Sequence, residues 1–362
     1  MKGLVFALWL CAQFTAPQKG TLVYDTVYSP AIEGNMLGDS AYRNIVVYLP
    51  RGYDDSLKHY PVVYLLHGWG DDHTFWAGKD FHIRGVINDL IHQSRIGEMI
   101  VVAPDSLNKY GGGWYANSPV TGNWEDFIVY DLVLHMDANY RTLPQRSSRG
   151  IFGYSAGASG ALKLAFKHPE IYAATFALSG GGPLEMAPWV MSQGGWREAL
   201  SLTSMAEFHA ASVPARAQIS AGAAFSPNPG NPPFFVDLPF GLVNGELVRN
   251  DTIWQAWLDA EDIPTIAYDF RHNLSEVVVS FRRGSFDHPD HGGVVSDALS
   301  ALGVPHTFKV FEGGHVDPSF VPQFEDEMMP FFSTNLAFEM DLLTNVGARG
   351  KLPTTWGEMK RQ

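Results

Sequence analysis

The sequence predicts an α/β fold in which a mostly parallel central sheet is covered by helices on both faces. Short apolar runs, rich in β-branched residues, alternate along the chain with segments whose apolar residues recur at helical spacing. Two of the runs, VVYLL and MIVVA, are apolar throughout, which is typical of strands that are buried on both faces. Regular alternation of strands and helices is the pattern of a parallel sheet.

Seven strands and four helices are assigned in chain order. The strands are predicted at residues 44–49, 62–66, 99–103, 149–152, 173–178, 276–281 and 307–311. The helices are predicted at residues 124–140, 158–167 and 294–302, and after Pro322. Ligand sites in such sheets lie at the carboxyl ends of the strands, so residues that directly follow a strand are candidates for the functional site.

Residues 180–265 interrupt this alternation. The segment has little strand signal and combines several prolines with many Trp and Phe residues. A long irregular segment inside a domain is typical of a lid, and its aromatic residues favour a lid or pocket wall over a packed decoration without a functional role. We therefore predict a single domain at residues 21–340 that carries this lid-like insert, followed by a tail at residues 341–362.

Composition and charge exclude some classes of partner. The chain has 38 acidic and 25 basic residues, a net charge of −13, and no basic run. Nucleic-acid binding depends on contacts of Lys and Arg with phosphate, so no nucleic-acid partner is predicted. The single cysteine, Cys11, excludes an intramolecular disulfide and a cysteine-based metal site.

The N-terminal residues 1–16 have the pattern of a secretory signal peptide. Lys2 precedes an apolar stretch, and Ala16 offers a small residue at a cleavage site. The stretch is shorter than the roughly 20 apolar residues that span a bilayer, so no membrane span is predicted. We expect a secreted or periplasmic protein; the alternative is a buried N-terminal strand in a cytoplasmic protein.

A G-x-S-x-G segment, Gly153-Tyr154-Ser155-Ala156-Gly157, lies between a predicted strand and a predicted helix. In this strand–turn–helix context the motif places a nucleophilic serine, here Ser155, on a sharp turn. The N–H group of Ala156 lies at the start of the helix and is a candidate donor to an oxyanion. The alternative is a glycine-rich turn with no catalytic role.

A second glycine-containing turn, His67-Gly68-Trp69, directly follows the predicted strand at residues 62–66. The N–H group of Trp69 is the candidate for the second oxyanion donor, since this position commonly supplies it. The side chain of His67 is interpreted as a core histidine.

A serine nucleophile needs a histidine base and a carboxylate that orients the histidine. The expected chain order is serine, acid, histidine. His315 follows the last predicted strand, and Asp287 follows the strand before it, with Asp290 as the alternative acid. Residues 288–291 contain metal-ligand types, but a polar loop before a helix is the simpler interpretation. No metal and no organic cofactor is predicted.

Three aromatic residues lie on loops after predicted strands and are candidates for substrate binding: Trp76, Trp114 and Tyr115. Packing in the core is the alternative interpretation.

These motifs resemble the esterase D-like family of α/β-hydrolases, which includes feruloyl and acetylxylan esterases and antigen 85-type acyltransferases. The matching stretches are VVYLLHGWG, MIVVAPDS, WEDFIVYDLVLHMDANYRT, RGIFGYSAGASGALKLAFKHPEIYAATFALSGG, GSFD and FKVFEGGH. The resemblance implies an α/β-hydrolase fold, a triad of Ser155, Asp287 and His315, and oxyanion donors at Trp69 and Ala156. The insert at residues 180–265 departs from the smaller members.

The resemblance implies hydrolysis of a carboxylic ester through an acyl-enzyme intermediate, with a small-molecule or carbohydrate-linked ester as substrate. An acyltransferase of the antigen 85 type, which passes the acyl group to an alcohol or sugar, is one alternative. A non-catalytic binding protein with the same fold is another, although all three candidate triad residues are present. The acyl length and the oligomeric state are not predicted.

Overall fold

An eight-stranded sheet forms the centre of the molecule. The computed structural model of the chain describes residues 19–78, 81–287, 291–316 and 319–340. The strands of the sheet are β1 (Thr21–Tyr28), β2 (Tyr42–Leu49), β3 (Val62–Leu66), β4 (Ile100–Pro104), β7 (Arg149–Tyr154), β8 (Ala174–Leu178), β11 (Val278–Gly284) and β12 (His306–Phe311); the short pairs β5 (Asn117–Ser118) with β6 (Gly122–Asn123) and β9 (Phe240–Val243) with β10 (Glu246–Arg249) lie outside it.

The spatial order of the strands is β1-β2-β4-β3-β7-β8-β11-β12. All pairs from β4 to β12 are parallel, and only β1 with β2 and β2 with β4 are antiparallel. The predicted mostly parallel sheet is therefore confirmed. Strands β3, β4, β7 and β8 are buried along their whole length, which explains why β3 and β4 are continuous apolar runs. Strands β7 and β8 also contain the buried polar residues Arg149 and Thr175.

Strands β1 and β11 differ most from the prediction, and β2 and β7 are each two residues longer than predicted. Strand β1 was not predicted, because it lies at the edge of the sheet, is mostly exposed and has no apolar run. Strand β11 begins two residues later than predicted and extends to Gly284, since Glu276 lies in a 3₁₀ turn that precedes it. The end of β11 includes the charged Arg282, which is buried and donates to Glu327 at 2.8 Å.

Helices cover both faces of the sheet, as predicted. They are α1 (Ile83–His92), α2 (Trp124–Asp126), α3 (Leu132–Asn139), α4 (Ala156–Lys167), α5 (Pro188–Met191), α6 (Gln193–Ala199), α7 (Met205–Ala210), α8 (Val213–Phe225), α9 (Asp251–Glu261), α10 (Ile263–Asp269), α11 (His291–Ala301), α12 (Phe320–Pro322) and α13 (Met329–Asn335). Apolar residues of α3, α4, α10 and α11 pack on one face of the sheet. Those of α1, α12 and α13 pack on the other.

The segment at residues 180–265 is more regular than predicted. It folds into helices α5 to α9, the start of α10 and the β9–β10 hairpin. Its tryptophans, including Trp196, Trp254 and Trp257, pack against one another in an apolar cluster of their own, which explains the density of aromatic residues. Strands β8 and β11, on either side of this insert in the chain, are neighbours in the sheet.

Several predictions concern residues outside the described part of the chain. These are the signal peptide, Cys11, the alternative acid Asp290 and the C-terminal tail. Within the described residues, no helix combines the length and apolarity needed to cross a membrane. The same residues contain no group of three or more His, Cys, Asp or Glu side chains arranged to hold a metal ion.

Candidate active site

Ser155 lies on a sharp turn between β7 and α4. Its backbone has φ 54° and ψ −125°, a region that non-glycine residues rarely adopt. Such a conformation costs about 1–3 kcal/mol and persists only where the surrounding structure enforces it. A Cβ atom added at Gly153 would lie 1.8 Å from the carbonyl oxygen of Gly157, and one added at Gly157 would lie 2.6 Å from that of Leu66. Both glycines of the motif are therefore required by close backbone approach.

The structure brings Ser155, His315 and Asp287 together. Nε2 of His315 lies 2.9 Å from Oγ of Ser155, and Nδ1 lies 3.1 Å from each carboxylate oxygen of Asp287. The side chain of Asp287 is 5% exposed, whereas that of His315 is 47% exposed. Because Nδ1 faces a carboxylate, it carries the proton, and Nε2 is left as an acceptor for the serine hydroxyl.

The loops after β11 and β12 hold the acid and the histidine in place. The N–H group of Ser285 donates to the carbonyl of Phe311 at 2.7 Å, and that of Phe286 donates to Gly313 at 2.9 Å. These bonds join the two loops directly before Asp287 and His315. The neighbouring positions of β11 and β12 in the sheet thus explain how residues 28 apart in the chain meet.

Trp69 and Ala156 line the same cavity as Ser155. Within the described residues, neither of their N–H groups donates a hydrogen bond to the protein. The turn that carries Trp69 is held by His67, whose Nε2 accepts from the N–H of Ser106 at 2.9 Å while Nδ1 lies 2.8 Å from the carbonyl of Gly68. Burial lowers the pKa of His67, so the ring is neutral with its proton on Nδ1. His67 is a core histidine, as interpreted.

A cavity of about 440 Å³ opens beside Ser155. Its walls are mainly apolar and come largely from the insert: Leu184, Ala187, Pro188, Trp189, Val213, Pro214 and Ala217 line it together with Trp69 and Trp114. The indole N–H groups of Trp69 and Trp114 both donate to the hydroxyl of Ser220 on α8, at 3.1 and 2.9 Å. Residues 180–265 therefore also hold the side chains of two tryptophans that lie outside this segment.

Of the three predicted substrate-binding residues, only Trp114 lines this cavity. Trp76 is completely buried and packs against Phe81 and Tyr154 under the site, so its assignment to substrate binding is corrected. Tyr115 is corrected in the same way, because it is buried and its hydroxyl donates to the carbonyl of His67 at 2.7 Å. The side chains of Trp76 and Tyr115 are both part of the apolar core.

The sequence interpretation missed a buried ion pair at the cavity. Glu261, at the end of α9, lines the cavity and lies 2.6 Å from Nζ of Lys163 on α4. A signal was present, since Trp254, Trp257 and Glu261 follow helical spacing and therefore share the buried face of α9. A carboxylate in this pattern is unusual because charged side chains are rarely buried unless paired.

The fold and this site define the class of protein. It has the α/β-hydrolase fold, and at the carboxyl ends of its strands a serine contacts a histidine that in turn contacts a carboxylate. The sequence pattern of the family described as "Putative esterase" matches residues 40–219. The chain is similar to this family over these 180 of its 362 residues.

Curated relatives cover a limited part of the chain. An esterase of Mycobacterium tuberculosis is 39% identical over 143 residues, which are 38% of this chain and 29% of that protein. An endo-1,4-beta-xylanase/feruloyl esterase of Xylanibacter ruminicola is 32% identical over 145 residues, 37% of this chain and 19% of that protein. The chain thus spans less than a third of the length of these relatives.

Solved structures share the fold over most of the chain. A ferulic acid esterase superposes with a TM-score of 0.61 at 20% identity, covering 88% of this chain and 100% of the other. An S-formylglutathione hydrolase from Agrobacterium tumefaciens superposes with a TM-score of 0.58 at 16% identity, covering 88% and 96%. At these identities the likeness supports the fold alone.

Proposed function

We propose that the protein is a serine carboxylic-ester hydrolase with Ser155 as nucleophile, His315 as general base and acid, and Asp287 as the orienting carboxylate. The observation that carries the proposal is the contact of 2.9 Å between Nε2 of His315 and Oγ of Ser155 in a cavity that can hold a substrate. The names of the relatives, an esterase and a feruloyl esterase, support the same reaction class.

In the first half of the reaction, Ser155 is acylated. His315 removes the hydroxyl proton through Nε2 while Oγ attacks the ester carbonyl. The N–H groups of Trp69 and Ala156 stabilise the oxyanion that forms, an effect worth on the order of 10²–10³ in rate for one donor. Asp287 accepts the Nδ1–H bond and stabilises the imidazolium, which then protonates the leaving alcohol.

In the second half, His315 activates water, and the acyl-enzyme is hydrolysed. The imidazole is about half exposed, so water can reach it once the alcohol has left. The same opening admits an alcohol, so transfer to a second alcohol stays the alternative that the resemblance leaves open. The substrate class we propose is a small-molecule or carbohydrate-linked ester whose acyl group fits a cavity of about 440 Å³.

The proposal is tested with p-nitrophenyl esters from acetyl to octanoyl and with a feruloyl ester. Wild type should hydrolyse members of this series, and Ser155→Ala should lose that turnover. The ratio of acid to new ester formed in the presence of added alcohol separates hydrolysis from transfer. A folded wild-type protein that turns over no ester would contradict the proposal.

Export remains a prediction based on residues 1–16 alone. Mass determination of the protein recovered from secreted or periplasmic fractions would test it, since cleavage after a signal peptide removes these residues from the mature chain.

A further inference from the structure

Apart from the proposed triad residues Asp287 and His315, one charged side chain lines the cavity among the described residues, that of Glu261. Glu261 is 4% exposed and lines the cavity beside Ser159, among tryptophans and aliphatic residues. Lys163 compensates its charge, and the pair is buried on both sides, at 2% and 5% side-chain exposure. Desolvating two charges is costly, and an apolar pair of the same size often stabilises a protein as well or better. Stability alone therefore does not explain the Glu261–Lys163 pair, and a functional role is the alternative explanation.

Lys163 has no donor left for a ligand. Its ammonium group lies 2.6 Å from Oε2 of Glu261, 2.6 Å from the carbonyl of Trp114 and 3.4 Å from that of Ala260. An ammonium has only three N–H groups, and these contacts account for all of them.

Glu261 retains acceptor capacity. A carboxylate offers about four acceptor sites. The Lys163 ammonium occupies one of them, and the Ser159 side chain also interacts with the carboxylate. Burial raises the pKa of Glu261, and the charge of Lys163 opposes this shift. The ammonium group of Lys163, 2.6 Å away, favours the ionised carboxylate, so a ligand that approaches Glu261 meets an acceptor.

Helix α4 places this acceptor at a defined distance from the nucleophile. Ser155, Ser159 and Lys163 are spaced four residues apart, so they lie on one side of α4 and its N-terminal turn. Each step of four residues advances about 6 Å along the axis. Glu261, which interacts with both Ser159 and Lys163, thus lies one to two helical turns from Ser155 in the same cavity.

We propose that Glu261 is a specificity-determining residue that accepts a hydrogen bond from a hydroxyl group of the bound ester, remote from its carbonyl. The inference rests on the proposed function and extends it to substrate choice. A hydroxyl is favoured over an ammonium because the Glu261–Lys163 pair is neutral overall and leaves no net charge for a cation. The hydroxyl could belong to the acyl group or to the alcohol, and the two sources are separated by the test.

The test compares matched esters that differ by one hydroxyl. The acyl series holds the p-nitrophenol leaving group constant and pairs 3-phenylpropanoyl with 3-(4-hydroxyphenyl)propanoyl, and hexanoyl with 6-hydroxyhexanoyl. The alcohol series pairs benzyl acetate with its 4-hydroxymethyl analogue. A hydrogen bond to a charged acceptor in a buried site should give the hydroxylated member a kcat/KM about tenfold to a hundredfold higher in wild type.

Two variants and one control assign the effect to Glu261. Lys163→Met with Glu261→Leu removes both charges and should bring the hydroxyl preference to about 1 while the unhydroxylated esters are still turned over. Glu261→Gln removes the charge but keeps an acceptor oxygen, so it should lower the hydroxyl preference without abolishing it. It serves if the double variant does not fold. Glu125→Gln is the matched control. Glu125 is also a buried carboxylate that pairs with a lysine of α4, Lys167, but it does not line the cavity. It should keep the wild-type preference.

Each outcome decides between the possibilities. A preference in either series that disappears in the double variant, or falls in Glu261→Gln, and survives in Glu125→Gln supports the proposal. The responding series identifies the source of the hydroxyl. Equal turnover of all pairs by wild type, or a preference unchanged in folded Glu261 variants, overturns it and leaves the ester-hydrolase proposal intact. Absence of any Ser155-dependent turnover would instead overturn the proposed function and, with it, this inference.

Discussion

Nε2 of His315 lies 2.9 Å from Oγ of Ser155, although 160 residues separate the two in the chain. The contact joins the turn after β7 to the loop after β12, so it depends on the parallel order of β7, β8, β11 and β12 in the sheet. The order of the strands therefore brings His315, the proposed base, into contact with Ser155, the proposed nucleophile.

Asp287→Asn should lower kcat for a p-nitrophenyl ester by about 10³–10⁴-fold, because the amide donates to Nδ1 and shifts the proton of His315 to Nε2. Thermal denaturation should show a folded protein. Asp290→Asn is the control that separates the two candidate acids and should change kcat by less than about tenfold. A large loss in Asp290→Asn together with a small loss in Asp287→Asn would reverse the assignment.

Gly153→Ala should destabilise the protein by roughly 3 kcal/mol or more, because the added methyl group would lie 1.8 Å from a backbone oxygen that cannot move aside. Urea denaturation and the yield of folded protein measure the effect. Gly85→Ala makes the same change in α1, where a Cβ atom meets nothing within 4 Å. That variant should be neutral or stabilised by up to about 1 kcal/mol, and equal behaviour of the two variants would disprove the steric argument.

Ala217→Trp should shorten the acyl groups that the cavity accepts. Ala217 is buried in α8 and lines the cavity, so an indole at this position occupies space beside Ser155. We expect kcat/KM for the octanoyl ester to fall at least about tenfold relative to that for the acetyl ester. Ala210→Trp, at an exposed position of the same insert, should leave the ratio unchanged. An unchanged ratio in Ala217→Trp would place the acyl group elsewhere.

The pair of Glu125 and His168, 2.8 Å apart, should make stability depend on pH. Burial alone would raise the pKa of Glu125, but the His168 hydrogen bond and the Lys167 charge outweigh it and hold the pKa at about 2. Burial alone would lower the pKa of His168, but the hydrogen bonds to Glu125 and Glu170 outweigh burial and raise that pKa. The lowered pKa of Glu125 stabilises the fold above about pH 4.5, and this stabilisation is lost toward pH 2. The raised pKa of His168 stabilises the fold below about pH 6.5, and this stabilisation is lost at higher pH.

Glu125→Gln should therefore cost most near pH 5.5, roughly 1–3 kcal/mol of unfolding free energy. Denaturation of both proteins at pH 3, 5.5 and 9 should show a smaller difference at each extreme. A difference that is constant across this range would show that the pair does not titrate as described.

Motifs that depend on neighbours in the chain could be predicted from the sequence. The turn at Ser155 needs glycines at positions 153 and 157, and the buried strands β3 and β4 are continuous apolar runs, so both features are visible in the local sequence. Side-chain direction on loops could not be predicted: Trp114 and Tyr115 are adjacent, yet one lines the cavity and the other supports His67.

Features of the site that depend on tertiary packing were also missed. Glu261 is buried at the cavity where the C-terminal end of α9 meets the side chain of Lys163 on α4. The spacing of Trp254, Trp257 and Glu261 indicates a buried helix face, but the sequence does not indicate which cation pairs with Glu261. Likewise, Ser220 holds two tryptophans from a position that is 106 residues from one of them.

The central claim is that Ser155 forms the acyl-enzyme, and the most direct measurement is mass spectrometry of protein quenched in acid shortly after mixing with a p-nitrophenyl ester. We expect one acyl group per wild-type chain, mapped to the peptide that contains Ser155, and none on Ser155→Ala. An acyl group on another residue, or undiminished turnover by Ser155→Ala, would contradict the mechanism.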